Sequence, residues 1–319
     1  MEKIATRVAY GNALKEFGGD ARVIALEADL GKSTMSATFG AAYPERYLDM
    51  GIAEANMIGV AAGLATCGKI PFTHSFAIFT PGRVYDQIRN SVAYPGLNVK
   101  IVGSHAGVTV GQDGATHQAL EDIALMRALP GMTVLSPADA NETRLAVKAM
   151  IDHTGPCYMR TGRLAVPQIT NDIPSYKFEL GKGVTLAEGG DLAILTHGYM
   201  VAASLAAREM LAKRGISARV INLHTIKPLD EEIVLKAAKE TRAVVIAEEH
   251  NIIGGLGSAV AELLSEKYPT YIERVGVKDE FGKSGDPEAL AGHFGLTAGD
   301  ISAAAERLIA KNRCCIRLP

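Results

Sequence analysis

The sequence predicts an α/β protein of two consecutive domains, each built on a mainly parallel sheet covered by helices. Short apolar runs of strand length alternate with helical patterns in both halves of the 319 residues. The alternation is interrupted by an aperiodic stretch with prolines at 167 and 174. We therefore expect a first domain over residues 1–166, a linker over 167–184 and a second domain over 185–319, in line with roughly 150 residues per domain.

In the first half, apolar runs bounded by turn residues predict strands over 23–26, 70–74, 99–102, 133–135 and 157–160. A helix is expected to start near Pro81, because proline suits the first turn of a helix. Another helix follows Asp139, whose side chain can cap it, and Glu142 stands at the reciprocal position of a capping box.

The second half repeats the alternation. Its predicted strands cover residues 192–195, 218–221, 243–247 and 271–275, and helices separate them. The last helix opens with Thr297 and Asp300 at capping-box spacing.

The charges are balanced, with 33 Lys and Arg against 35 Asp and Glu, and neither sign is concentrated in one segment. This excludes proteins that bind nucleic acids or acidic membranes through a charged surface. The weakly charged stretch 50–65 is shorter than the roughly 20 residues of a membrane span. Because Met1 leads into a polar segment and not into the apolar core of a secretory signal, we expect a cytoplasmic protein.

Glu54 is the single charge in the apolar segment 50–66, which begins M-G-I-A-E-A-N. One explanation is a first-turn glutamate that interacts favourably with the helix dipole. The other is a desolvated carboxyl with a raised pKa, placed to share a proton with a bound heteroaromatic nitrogen.

A glycine-rich loop is predicted over residues 103–118, with glycines at 103, 107, 111 and 114. His105, Asp113 and His117 can converge there if a turn brings them together, and such a group suits hydroxyl binding and proton transfer. A polar surface loop is the alternative explanation. The spacing of these three residues matches no standard metal site, so we predict no metal held by this chain alone.

These features occur in an order that resembles transketolase, and the resemblance covers essentially the whole chain. The matching features are Arg7, A-D-L at 28–30 with Ser33, G-I-A-E-A-N around Glu54, S-F-A-I-F at 75–79, His105, G-Q-D-G-A-T-H-Q at 111–118 and Arg160. The resemblance implies a thiamine diphosphate pyrimidine-binding domain followed by a transketolase C-terminal domain. It also implies transfer of a two-carbon ketol unit from a ketose phosphate to an aldose phosphate, with thiamine diphosphate supplying the carbanion chemistry.

By this resemblance, Glu54 hydrogen-bonds the aminopyrimidine ring of the cofactor and promotes its imino form. Phe76 and Phe79 form an aromatic wall against the pyrimidine, and Asp29 lies near the cofactor. Where many transketolases continue this wall with a tyrosine, the chain has Gly82.

The resemblance also assigns the substrate residues. Asp113 and His117 hold donor hydroxyls, and Asp113 reads the configuration at the C2 hydroxyl. A terminal phosphate is gripped by a cluster whose members are Arg7, Ser33, His105 and Arg160, which offer charge-assisted and partly bidentate bonds. The residues expected to act in catalysis are Glu54, His105 and His117.

The sequence does not contain the Gly-Asp-Gly motif with which this family holds Mg²⁺ and the cofactor diphosphate. We therefore expect the C-terminal half of a split transketolase, with Mg²⁺ and the diphosphate held mainly by an N-terminal transketolase subunit. The family's two-fold symmetry implies a heterotetramer of two plus two chains.

Three alternatives remain open at this point. The chain resembles 1-deoxyxylulose-5-phosphate synthase in its glutamate segment, although that family tends to have arginine where this chain has His105. The second alternative is a transketolase for a specialised sugar, such as a branched ketose phosphate or a ketose with another terminal anion. A catalytically silent sugar-phosphate-binding subunit is the third, and the presence of Glu54, Asp113 and His117 argues against it.

Overall fold

The computed structural model describes residues 2–174 and 176–315. The strands of the first half are β1 (Lys3–Ala5), β2 (Val23–Glu27), β3 (Tyr47–Asp49), β4 (Ile70–Phe76), β5 (Lys100–Ser104), β6 (Thr133–Leu135), β7 (Cys157–Arg160) and β8 (Ala165–Pro167). Its helices are α1 (Thr6–Phe17), α2 (Gly31–Thr34), α3 (Ala37–Ala42), α4 (Glu54–Thr66), α5 (Tyr85–Gln87), α6 (Asp122–Arg127) and α7 (Ala140–Asp152).

The second half has the same alternating order. Its strands are β9 (Val184–Ala187), β10 (Leu192–Thr196), β11 (Ala218–Asn222), β12 (Thr225–Lys227), β13 (Ala243–Asn251) and β14 (Tyr271–Val277). Its helices are α8 (Met200–Ala212), α9 (Glu231–Thr241), α10 (Leu256–Lys267), α11 (Pro287–His293) and α12 (Ala298–Cys315).

The larger sheet has seven strands in the order β12-β6-β7-β5-β4-β2-β3. All neighbours in it are parallel except β12 and β6. The second sheet has five strands in the order β14-β13-β10-β11-β9, with β9 antiparallel at one edge. Helices connect the parallel strands, as such crossovers require. The predicted α/β class with mostly parallel sheets is confirmed.

The two halves of the chain contact each other through one sheet and one hydrophobic cluster that contain residues of both. Strand β12 belongs to the second half of the chain but adds to the sheet of the first half beside β6. One buried hydrophobic cluster also contains side chains of both halves, among them Leu26, Ile101, Ile221 and Ile246. Strand β1 pairs with β8, so the end of the first half of the chain lies beside its start.

Of the two predicted capping boxes, the one at Thr297 is complete and the one at Asp139 is half formed. Asp139 accepts a hydrogen bond from the Glu142 amide at 2.9 Å, but the Glu142 carboxylate accepts from the Ala138 amide and not from that of Asp139. At the start of α12, the Thr297 amide donates to the Asp300 carboxylate and the Asp300 amide donates to the Thr297 hydroxyl, as predicted.

The helix predicted to begin at Pro81 is different in the structure. A wide π-type turn spans Ile78–Arg83 with Pro81 inside it, and a second one spans Ile88–Ala93 after α5. Such turns are common at functional sites. None of the helices in the described residues is long and apolar enough to cross a membrane.

Candidate active site

The carboxyl ends of four parallel strands meet at one edge of the larger sheet. The register pairs Glu27 of β2 with His74 of β4, Phe76 of β4 with Ser104 of β5, and Gly103 of β5 with Arg160 of β7. Ligands of open α/β sheets bind outside this edge. The predicted site residues that lie at or just beyond these strand ends are Asp29, Ser33, Phe76, Phe79, His105 and Arg160.

Glu54 is the first residue of α4, and it is 3% exposed. Its Oε1 accepts a hydrogen bond from Arg83 Nη1 at 2.8 Å. The same guanidinium lies over the ring of Phe79, 4.1 Å from its centroid. The buried carboxylate therefore has one counter-charge, and that charge lies against an aromatic face.

Phe76 and Phe79, the two residues predicted to form an aromatic wall, contact each other and two histidines. Phe76 and Phe79 stack at 5.9 Å between centroids with an angle of 9° between the rings. His105 stacks on Phe76 at 4.0 Å, and His117 meets Phe79 edge-on at 5.3 Å. The structure thus brings together residues of β4 and of both ends of the glycine-rich loop.

His105 is buried with a left-handed φ of 58°, a conformation that a non-glycine residue holds at a cost of roughly 1–3 kcal/mol. A 2.7 Å hydrogen bond joins its Nδ1 to the Ser104 hydroxyl. Burial, and after it the positive charges of Arg7 and Arg163, lower the pKa of His105 to about 3. The imidazole is therefore neutral near pH 7.

Two arginines lie near enough to His105 for their positive charges to lower its pKa. Arg7 donates to the Ser33 carbonyl oxygen at 2.6 Å, while Arg163 donates to the Val110 carbonyl oxygen at 2.9 Å and lies 3.5 Å from an Asp113 carboxylate oxygen. Burial lowers the pKa of Arg7, and the charge of Arg163 lowers it further. Two like charges held together favour the binding of an anion between them.

Arg160, which the resemblance assigns to the phosphate-binding cluster, is instead paired with groups inside the protein. It is 5% exposed, its Nε lies 2.9 Å from an Asp122 carboxylate oxygen, and it donates to the Glu249 carbonyl oxygen. The Asp122 carboxylate therefore neutralises the guanidinium charge inside the protein. Arg163 comes three residues later, and residue type and position in the sequence do not distinguish the two arginines.

The turn after β2 is held by a buried carboxylate that sequence reasoning missed. Glu27 accepts hydrogen bonds from the amides of Ala28 and Leu30 and from the hydroxyls of Thr34 and Ser36. Burial raises the pKa of Glu27 to about 7, against the opposing effect of these bonds.

Two predicted residues lie in this turn. Asp29 is exposed with a left-handed φ of 59°, and its amide donates to the Asp49 carboxylate at 3.1 Å. Ser33 accepts the hydrogen bond from Arg7 through its carbonyl oxygen.

In the part of the chain that the structure describes, no three His, Cys, Asp or Glu side chains are grouped so as to hold a metal ion.

Comparisons with known proteins bear on this site. The family model "Transketolase, pyrimidine binding domain" matches residues 2–168, and "Transketolase, C-terminal domain" matches residues 181–301. The chain belongs to the transketolase family. It corresponds to the C-terminal half of a split transketolase, and the family depends on thiamine diphosphate.

Three similar proteins illustrate this assignment. The 6-deoxy-6-sulfo-D-fructose transketolase subunit SqwH of Clostridium sp. is 49% identical, over 97% of this chain and 95% of that one. A putative transketolase C-terminal section of Methanocaldococcus jannaschii is 46% identical over 93% of each chain. The structure described as "Split gene transketolase, inactive beta4 tetramer" is 50% identical with a TM-score of 0.88, and it covers 97% of this chain and 99% of that one.

The contact between Arg83 and Glu54 can be tested by a double-mutant cycle. Because Arg83→Met leaves a buried carboxylate without its counter-charge, we expect it to lower the free energy of unfolding by about 1–2 kcal/mol. In a Glu54→Gln background the same change is expected to cost less, since a neutral amide is easier to bury. Urea unfolding of the four proteins measures the coupling, and Arg22→Met, at an exposed pair with Asp20, is the matched control. Additive effects would contradict the assigned contact.

Proposed function

We propose that this chain is the C-terminal subunit of a thiamine diphosphate-dependent transketolase that moves a two-carbon ketol unit from an anionic ketose to an aldose phosphate. The observation that carries the proposal is the arrangement at the sheet edge. A buried carboxylate, Glu54, and a cationic pair, Arg7 and Arg163, lie on either side of one aromatic stack.

The pyrimidine ring of the cofactor fits the first part of this arrangement. Glu54 would hold and exchange a proton with a ring nitrogen, and Phe76 and Phe79 would cover a ring face and exclude water. Arg83 donates a hydrogen bond to one carboxylate oxygen of Glu54 and lies over the ring of Phe79. It would have to give up at least one of these contacts when the pyrimidine ring binds. When bound, thiamine diphosphate supplies the carbanion that carries the ketol unit.

The sugar would extend from the aromatic stack towards the arginines. Asp113 and His117 would bind its hydroxyls, and His105 and His117 would move protons at them. Arg7, Arg163 and His105 would bind the terminal anion, with Ser33 beside Arg7. In this proposal Arg163 takes the role that the sequence first suggested for Arg160.

A partner chain would supply Mg²⁺ and hold the diphosphate, because the sequence of this chain contains no Gly-Asp-Gly motif. Support comes from the similar β-chain structure that is described as an inactive tetramer. Further support comes from Ile52, which is 76% exposed two residues before Glu54, because such an apolar side chain suits burial by assembly. We propose a heterotetramer of two plus two chains.

The substrate class can be narrowed to ketoses that end in an anion. A pair of guanidinium groups and a neutral imidazole bind phosphate or sulfonate oxygens by the same bonds. A sulfonated ketose is a specific second candidate donor, because the 49% identical subunit is named for 6-deoxy-6-sulfo-D-fructose.

We expect Arg163→Ala to raise KM about tenfold for a donor with a terminal phosphate or sulfonate, since one charge-assisted bond is lost. A short ketose without a terminal anion is expected to keep its KM. Steady-state kinetics on the assembled enzyme measure both, and comparison of the two anionic donors shows which one the site prefers. Arg22→Ala, an exposed arginine, is the control. Equal losses for charged and uncharged donors would refute the anion-binding role.

The proposed function itself is tested by mixing. This chain alone is expected to show no ketol transfer, and addition of a purified N-terminal transketolase subunit with thiamine diphosphate and Mg²⁺ is expected to produce it. Glu54→Gln should assemble normally but lose activity by a factor on the order of 10² or more, because an amide cannot exchange the proton.

Glu45→Gln, an exposed glutamate beside Arg46, is the matched control and should remain active. Mass measurement confirms assembly in each case. Full turnover by this chain without a partner, or by Glu54→Gln with one, would contradict the proposal.

A further inference from the structure

The glycine-rich loop carries Asp113 and His117 but has little regular structure of its own. It consists of two 3-10 turns, Val108–Val110 and Ala115–His117, joined through Gly111 and Gly114 with φ angles of 87° and 78°. Side chains on such a backbone are placed accurately only if other parts of the protein hold it.

The second domain supplies much of that support through residues 279–287, which we call the clasp segment. Gln118 at the end of the loop is buried, and its Nε2 donates to the Val108 carbonyl oxygen at 3.1 Å and to the Lys283 carbonyl oxygen at 2.9 Å. The side-chain amide of Gln118 thus connects the end of the loop both to its earlier part and to the second domain.

A second bond lies next to Asp113. The Ser284 hydroxyl donates to the Gln112 carbonyl oxygen at 2.7 Å, so the peptide unit that precedes Asp113 is held from the second domain. The packing is close, because a Cβ at Gly282 would lie 1.7 Å from Gln118 Oε1 and one at Gly111 would lie 3.0 Å from the Pro287 ring.

The beginning of the loop is also anchored across the domain boundary. Glu249 of β13 accepts a hydrogen bond from the Thr109 amide at 2.8 Å. A Cβ at Gly107 would lie 2.2 Å from the Glu249 carboxyl carbon, so glycine is required there for the approach. Asp113 and His117 therefore lie between two anchors that both belong to the second domain.

We propose that the second domain is a positioning element of the active site, and that its clasp segment sets the placement of Asp113 and His117 and hence the recognition of the sugar hydroxyls. Gly282, Lys283 and Ser284 are then positioning residues, since they act through the loop and not on the substrate. This inference rests on the proposed function for its link to sugar recognition. Its structural part, that the clasp holds the loop, stands separately.

The test compares two glycines of the second domain. Gly282→Ala forces Gln118 to move, whereas Gly292→Ala in α11 has open space around the new methyl group. In the assembled enzyme, we measure the ratio of kcat/KM for two aldose phosphate acceptors that differ only in configuration at C2, because C2 of a ketose donor is its carbonyl carbon and only the aldose carries a C2 hydroxyl for Asp113 to read. We expect Gly282→Ala to lower this ratio about tenfold, because small misplacements of binding groups have large effects, and Gly292→Ala to leave it unchanged.

Two further measurements distinguish a loss of loop positioning in Gly282→Ala from a general destabilisation of the protein. Calorimetry is expected to give the wild-type affinity for thiamine diphosphate in Gly282→Ala, because Glu54 is held by Arg83 and not by the clasp. Hydrogen exchange is expected to be faster at amides 111–118 in this variant and unchanged in α4. Ser284→Ala, which removes one bond and adds no bulk, is expected to show the same effects more weakly and serves if Gly282→Ala does not fold.

Unchanged exchange at 111–118 in both variants would overturn the proposal, and so would faster exchange with an unchanged acceptor ratio. If the wild-type assembly transfers no ketol unit, the proposed function fails, while the exchange measurement still decides whether the clasp holds the loop.

Discussion

The parallel pairing of β2, β4, β5 and β7 is the constraint on which the rest of the site depends. Parallel strands end at the same edge of a sheet, so residues that are far apart in sequence emerge side by side. Asp29 and His105 follow two of these strands in left-handed conformations, which turn the chain sharply at the edge. Glu27 holds the first of these turns from inside through four hydrogen bonds.

The charges at this edge are separated by an aromatic stack. On one side Glu54 is buried with Arg83, and on the other Arg7 and Arg163 lie beside a neutral His105. A carboxylate suits a protonatable ring, and the arginine pair suits a sugar that ends in an anion. In the proposed function, this difference in charge between the two ends would orient a substrate between the cofactor and the arginine pair.

Much of this could be predicted from the sequence, because apolar runs mark the buried strands and motif order marks the family. The choice between Arg160 and Arg163 could not, since it depends on Asp122 and the Glu249 carbonyl, which fold against Arg160 from distant parts of the chain. The Arg83 contact and the insertion of β12 into the first sheet were missed for the same reason. The roles of the individual site residues remain predictions.

The proposed contact between Glu54 and the cofactor is tested most directly by a crystal structure of this chain assembled with an N-terminal partner and thiamine diphosphate. The account predicts a pyrimidine ring nitrogen about 2.6–3.2 Å from a Glu54 carboxylate oxygen, with the ring against Phe76 and Phe79 and with Arg83 displaced from at least one of its present contacts. A cofactor whose pyrimidine ring lies away from Glu54, with the Arg83 contacts to Glu54 and Phe79 both intact, would contradict it.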